Sequence, residues 1–250
     1  MKRFDLSGRT ALVTGSTKGI GRGMADALME CNARVLFHGR ARPADLPDEY
    51  SCLLADLMQP DAAEELIAQA FEAAPELDIL VCNAGSFFDV PFLEMTREKF
   101  GSTFDLNVRA PYFLAQAFAQ KLVAEKRGGA IVIVGSTNGL HAEYGSTAYD
   151  ASKGALVMMT KSLALTLAEY SIRVNCLAPG LIRTPLTQTL IDSDHAARAH
   201  YEKNIPLSRI GDMTDCGGAA AFLVSEAASY ITGHVLVVDG GLVISQIDKP

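Results

Sequence analysis

Tyr149 and Lys153 stand four residues apart at the head of an apolar stretch, 155–168, that holds neither glycine nor proline. Such a run reads as a buried helix. Four residues is about one helical turn, so the phenol and the ammonium share a face. With free pKa values of about 10 and about 10.4, neither group moves protons readily at neutral pH. A cation held beside a phenol favours phenolate, so the pair predicts a tyrosine whose pKa is lowered into the range of a general acid/base. A second cluster suits an anion. Thr14-Gly15-Ser16-Thr17-Lys18-Gly19-Ile20-Gly21 follows a short apolar run and opens a helical pattern. Gly15 permits a tight turn, and Gly19 and Gly21 let backbone and helix approach a pyrophosphate, which the helix N-terminus meets with free N–H groups.

The elements that must position these residues alternate. Short β-rich segments at 11–13, 34–37, 52–54, 79–82, 130–134, 173–177 and 235–238 are separated by helical patterns. Those patterns cover 21–30, 62–73, 97–104 continuing to about 126, 149–170 and 214–225. Near-continuous apolar strands between helices predict an α/β, Rossmann-like, doubly wound fold. Its parallel sheet has about seven strands and is covered on both faces. No linker, repeat or low-complexity segment interrupts the pattern, so residues 1–250 read as one domain.

Composition narrows the function. A net charge of −7 argues against nucleic acid as a partner. No run approaches the roughly 20 apolar residues of a membrane span. Asp5, Arg9 and Gly15 interrupt any signal-type segment after Lys2 and Arg3, so a cytoplasmic protein is expected. Cys31, Cys52, Cys82, Cys176 and Cys216 are odd in number and show no CxxC spacing. They read as reduced thiols, with no disulfide frame and no metal site.

Six motifs then stand in order. They are Thr14-Gly15-x-x-x-Gly19-x-Gly21, Asn83-Ala84-Gly85, Asn107, Ser136, Tyr149-x-x-x-Lys153 and Pro179-Gly180. In order and spacing the chain resembles the short-chain dehydrogenase/reductases from Leu6 to Gly241. The resemblance implies that Tyr149 is the catalytic acid/base and that Lys153 lowers its pKa and holds the nicotinamide ribose. It implies that Ser136 hydrogen-bonds the reacting oxygen. Asn107 would kink its helix and anchor a water leading from Lys153. Asn83, Ala84 and Gly85 would line the adenosine side, with Asp56 and its neighbour Leu57 near the adenine. Pro179, Gly180, Ile182 and Thr184 would close over the nicotinamide. Its relatives assemble through the helices around 107–125 and 149–170 and the last strand, which implies a homotetramer or a homodimer.

Cofactor and substrate preferences come from finer detail. The second strand ends Phe37-His38-Gly39-Arg40 with no acidic residue before Asp45, whereas NAD-selective sites usually carry an acid there. Arg40 and Lys18 suit a 2′-phosphate, so NADP(H) is favoured over NAD(H). Pro43 and Pro47 leave little room for a helix between Arg40 and Asp56. Segment 181–211, with Asp192, Asp194, His195, Arg198 and His200, reads as a helical lid. Specificity is also expected from 87–90 and from 138–144. Asn138, His141, Tyr144 and Leu181 are the candidate substrate contacts, and they favour a small polar substrate of sugar or polyol type. Two alternatives stay open. One is a 3-oxoacyl-[acyl-carrier-protein] reductase-like enzyme, for which Arg109, Arg127 and Arg173 would have to gather into a docking face. The other is a non-catalytic redox regulator that binds NAD(P).

Overall fold

Strands that are apolar at every position need cover on both faces, and the chain supplies it by alternation. In the computed structural model, which describes residues 2–193 and 195–244, seven strands form one parallel sheet. They are β1 (Thr10–Val13), β2 (Arg34–Gly39), β3 (Cys52–Leu54), β4 (Ile79–Cys82), β5 (Gly129–Val134), β6 (Ile172–Pro179) and β7 (Val235–Val238). Their order is β3-β2-β1-β4-β5-β6-β7, so the chain reverses its direction of travel across the sheet between β1 and β4. In-register pairs run across this centre: Val13 opposes Phe37 on one side and Val81 on the other.

Alternate strand residues feed two cores, as the two-residue period of a strand requires. Leu12, Leu36, Leu80 and Ile131 face α2 (Ala62–Ala73), α4 (Ala110–Ala124) and α5 (Thr147–Leu167), where Leu66, Phe118 and Leu156 join them. Val13, Phe37, Val81 and Val132 face α1 (Gly19–Glu30) and α8 (Asp215–Val224), packing on Met24, Leu28 and Leu223. The doubly wound parallel arrangement expected from the sequence is the one found.

Three details give the sequence reading its physical form. The helix expected from 97 to about 126 is broken: α3 (Arg97–Phe104) passes through a π turn at Asp105–Arg109 before α4 begins. The turn carries Asn107 inward, and single π turns of this kind frequently mark functional sites. The lid resolves into α6 (Gln188–Ser193) and α7 (His195–Asn204), and a parallel bridge between Ile182 and Gly211 closes the segment at its base. Asp194 and the side chain of His195 lie outside what is described. Between β2 and β3 there is no helix. Instead the Arg42 guanidinium donates to the carbonyls of Pro47 at 2.6 Å and Tyr50 at 3.0 Å, tying the proline-containing loop to itself. Among the described residues, no helix is long and apolar enough to cross a membrane.

The α1–α8 contact fixes where the first helix points. It is made backbone to backbone: a Cβ on Gly217 would stand 2.7 Å from the Ala27 methyl and 2.8 Å from the Gly23 carbonyl oxygen. Gly217→Val forces these helices apart and should cost about 1–3 kcal/mol, as overpacking does. A lowered urea midpoint at unchanged slope is the expected result.

Candidate active site

The end of β1 is pinned to the end of β4 before the glycine loop begins. Thr14 Oγ1 accepts from the backbone N–H groups of Asn83 (3.0 Å) and Ala84 (3.1 Å). Asn83 Nδ2 in turn donates to the carbonyls of Thr14 (2.8 Å) and Gly15 (3.3 Å). Gly15 and Gly19 then take left-handed φ angles of +65° and +62°, conformations open chiefly to glycine. Lys18, which precedes α1, makes no side-chain cap, so the first N–H groups of that helix are left for an anion.

Above them lies a cleft of about 630 Å³. Gly15, Thr17, Lys18, Gly19 and Ile20 form one wall. Arg40, Asp56 and Leu57 line one end, Asn83, Ala84 and Gly85 the floor, and Pro179, Gly180, Ile182 and Thr184 the far wall. Ser16 and Gly21 lie beneath it. The Ser16 hydroxyl accepts from the His38 backbone N–H at 3.0 Å, and Gly21 packs where a Cβ would come within 2.4 Å of Asn83 Nδ2 and the Gly15 carbonyl. Asp56 lines the cleft and also caps a local turn by accepting from Met58 N–H at 3.1 Å.

A dinucleotide fits these residues: a glycine-lined wall, an uncapped helix start and strand ends that spread to either side. Selectivity is legible at the end of β2. A side chain at Gly39 would have to displace Thr17, whose Cγ2 lies 2.6 Å from a Cβ there. Arg40 is exposed and makes no ion pair or hydrogen bond among the described residues.

His38 is a residue the sequence reading passed over. It lines the cleft with 3% exposure, and its Nδ1 accepts the Gly15 N–H at 3.1 Å. That contact assigns the ring proton to Nε2, which is buried and has no hydrogen-bond partner among the described residues. Burial pushes the imidazole down to about 4, opposed by the backbone of Ala55. A polar residue closing an otherwise apolar strand was the available signal.

The reaction centre sits at the other end. Ser136 follows β5, and Tyr149 and Lys153 come from the first turns of α5. All three line the cleft. The Tyr149 ring meets Phe87 edge-on at 5.3 Å, and its backbone N–H donates to Asp89 Oδ2 at 3.0 Å. Lys153 is buried, donates to the Val134 carbonyl at 3.1 Å and lies 5.4 Å from the centre of the Tyr149 ring. Asn107, behind the cleft, exchanges hydrogen bonds with the Ser86 backbone (3.0 and 2.9 Å) and donates to Ser152 Oγ at 3.2 Å. Ser152 in turn donates to the Tyr149 carbonyl at 2.7 Å. Ser152 and Ser86 were not singled out from the sequence, because nothing in their local pattern separates them from ordinary serines.

The electrostatics reverse one expectation. The Tyr149 phenol is not lowered. Burial pushes it up to about 12, the Ser136 hydroxyl beside it pulls the other way, and Glu143, Asp150 and Asp89 raise it further. Burial also pushes the Lys153 ammonium down to about 8. Burial dominates both groups, and the charges acting on the phenol are carboxylates, which raise it further.

The substrate contacts need correction too. Leu181 lines the cleft, but Asn138, His141 and Tyr144 do not. His141 and Tyr144 are exposed to solvent. Asn138 has its amide consumed: Nδ2 donates to Glu143 and Asp150, and Oδ1 accepts from Ser136 Oγ. Ser86, Phe88, Pro185, Leu186 and Thr187 also line the cleft. The lid's charged residues are paired with one another, Arg183 with Asp192 and Arg198 with Glu202.

Comparison with known proteins agrees with this geometry. A family model described as enoyl-(acyl carrier protein) reductase matches residues 15–243. The chain is 37% identical over 247 residues to a 3-oxoacyl-[acyl-carrier-protein] reductase FabG of Rickettsia bellii, covering 96% of this chain and 99% of that one. It is 36% identical over 250 residues to an L-rhamnose 1-dehydrogenase (NAD(P)(+)) of Azotobacter vinelandii, covering 95% and 97%. The crystal structure of a gluconate 5-dehydrogenase from Burkholderia cenocepacia, in complex with NADP and tartrate, superposes with a TM-score of 0.90 at 33% identity. That match covers 97% and 98% of the two chains. The chain belongs to the short-chain dehydrogenase/reductase family, and it is an oxidoreductase.

His38 links the cleft to stability. The folded ring stays neutral down to about pH 4, whereas an unfolded ring takes a proton below about pH 6.5. Acid therefore favours the unfolded chain, and stability present above pH 6.5 is lost as the pH falls towards 4. The loss attributable to this residue between pH 7 and pH 5 is about 2 kcal/mol. Denaturant midpoints at the two pH values should converge in His38→Asn.

Proposed function

We propose that this enzyme moves a hydride between NADP(H), favoured over NAD(H), and the alcohol or ketone carbon of a small polar substrate of sugar or polyol type. The observation that carries the reading is the division of one cleft. Ser136, Tyr149 and Lys153 converge at one end, and at the other Arg40 stands unpartnered beside a glycine where an acid would have to displace Thr17. The nicotinamide supplies the hydride chemistry when it is bound.

The chain's own residues handle the rest. Tyr149 exchanges the proton of the reacting oxygen, and Ser136 holds that oxygen by a hydrogen bond. Lys153 sits beside the phenol ring, its ammonium held by the Val134 carbonyl. Asn107 holds the Ser86 loop and, through Ser152, the start of α5, so that Tyr149 keeps its orientation. Arg40 and Lys18 bind a 2′-phosphate as charge-assisted donors.

A phenol that stays protonated at neutral pH is ready to donate. Reduction should therefore be fast and nearly flat across neutrality, while oxidation, which needs the phenolate, should climb with pH through neutrality and not level off below the phenol's value of about 12.

The 3-oxoacyl-[acyl-carrier-protein] reductase reading has the Rickettsia relative in its favour. Against it, Arg109, Arg127 and Arg173 are each spent on backbone carbonyls: Met58, Leu77 and Leu223, at 2.7–2.8 Å. They do not present a basic docking face for an acidic carrier. The regulator reading is disfavoured by the intact set of Ser136, Tyr149 and Lys153. Assembly as a homotetramer or homodimer belongs to the same proposal. It is supported by large apolar side chains left exposed on α4 and α5, among them Tyr112, Met158 and Leu165.

Two substitutions test the proposal. Tyr149→Phe should lower kcat by roughly a thousandfold or more while NADPH still quenches or enhances fluorescence with its original affinity. Arg40→Ala should weaken NADPH binding on the order of ten- to a hundredfold and leave NADH binding where it was. Indifference of NADPH affinity to Arg40 would overturn the cofactor preference, and full turnover by Tyr149→Phe would overturn the mechanism.

A further inference from the structure

Ser136, Tyr149 and Lys153 line the reaction end of the cleft, and three carboxylates gather just behind them. Asn138 shows how closely. Its Nδ2 donates to Glu143 Oε2 at 2.9 Å and to Asp150 Oδ1 at 2.8 Å. Two carboxylates on the same nitrogen fix the amide orientation, because the flipped amide would set oxygen against oxygen. Oδ1 is thereby turned to Ser136 Oγ, 3.1 Å away. Two carboxylates thus stand one side chain away from the hydroxyl that holds the reacting oxygen. Asp150 is also the residue next to Tyr149, and its second oxygen accepts the Glu143 N–H at 2.9 Å.

A third carboxylate arrives from the loop after β4. Asp89 Oδ2 takes the Tyr149 N–H, and its Oδ1 is buried without a hydrogen-bond partner among the described residues.

None of the three is in a salt bridge among the described residues. Nearby cations do not compensate them. Lys153 is turned to the Val134 carbonyl. On the lid, Arg183 and Arg198 are neutralised by Asp192 and Glu202, and His200 is held by Asn204. Burial raises the Tyr201 phenol of α7, and Glu143 raises it further.

We infer that Glu143 and Asp150, with Asp89 behind them, are specificity determinants that exclude anions from the substrate end, so that the enzyme takes an uncharged or cationic alcohol and discriminates against the matching sugar acid. The inference rests on the polyol-type reaction proposed above and sharpens its substrate class. A substrate carboxylate placed several ångströms from two such groups loses on the order of tenfold in binding or kcat/KM, and salt reduces the loss.

The test uses the intact protein and three matched sets of probes: neutral polyols and aldoses, the aldonates of the same stereochemistry, and 2-amino-2-deoxy sugars. Oxidation with NADP+ gives kcat/KM. Calorimetric titration of the protein loaded with NADPH, where an alcohol is not consumed, gives affinity without turnover. At low ionic strength the aldonates should fall at least about tenfold below their neutral partners, with the gap narrowing as NaCl is added. Glu143→Gln, which keeps an acceptor for Asn138, should raise the aldonate-to-neutral ratio roughly three- to fivefold. Asp150→Asn should move it the same way, and an unchanged circular dichroism spectrum shows that each variant folds.

Aldonates that bind or react as well as the neutral probes, or a ratio unmoved in both variants, would overturn the inference. The charge order appearing in binding with no member of the panel oxidised would sustain it and overturn the polyol reaction instead.

Discussion

Every strand of the sheet runs the same way, and this constraint makes the site. Parallel register brings the carboxyl ends of β1, β2, β4, β5 and β6 to one edge, so Gly15, Arg40, Asn83, Ser136 and Pro179 become neighbours although 164 residues separate the first from the last. The reversal between β1 and β4 opens the crevice there, at the place where open α/β sheets bind ligands. The side-chain bonds between Thr14 and Asn83 close the two strand ends against each other, and the glycine loop departs from that fixed point.

Within that frame the acid–base pair is governed by burial more than by pairing. Both groups are displaced towards their neutral forms, the phenol upwards and the ammonium downwards, and the two values move apart. A cation tucked under the strand end at Val134 is held by geometry, with Asn107 and Ser152 bracing the helix that carries it. The π turn is what allows this. By inserting one extra residue in the turn it rotates Asn107 off the helix surface and into contact with Ser86 and Ser152.

The charge pattern follows from the same topology. Loops after β1 and β2 carry the cations, and loops after β4 and β5 carry Asp89, Asn138 and Glu143. The proposed division of the cleft would use this arrangement, with a phosphate at the first pair of loops and an uncharged substrate near the second.

Much of this was readable from the chain. Strand–helix alternation gave the parallel sheet because apolar strands without polar alternation must be buried on both faces. The glycine spacing and the Tyr149–Lys153 interval are local, since each depends on one turn of backbone. The missing acid at Gly39 was equally plain. What the chain alone left undecided depends on groups distant in sequence. Asn138, His141 and Tyr144 have suitable side chains and adjacent positions, yet only folding shows that the first is consumed by Glu143 and Asp150 and that the others point to water. His38 became part of the cleft through a contact with Gly15, and the phenol's pKa was set by how much water the finished fold removes. Spacing along a chain determines which residues share a face, whereas desolvation and hydrogen-bond competition are sums over everything packed nearby, and those sums exist only in the tertiary structure.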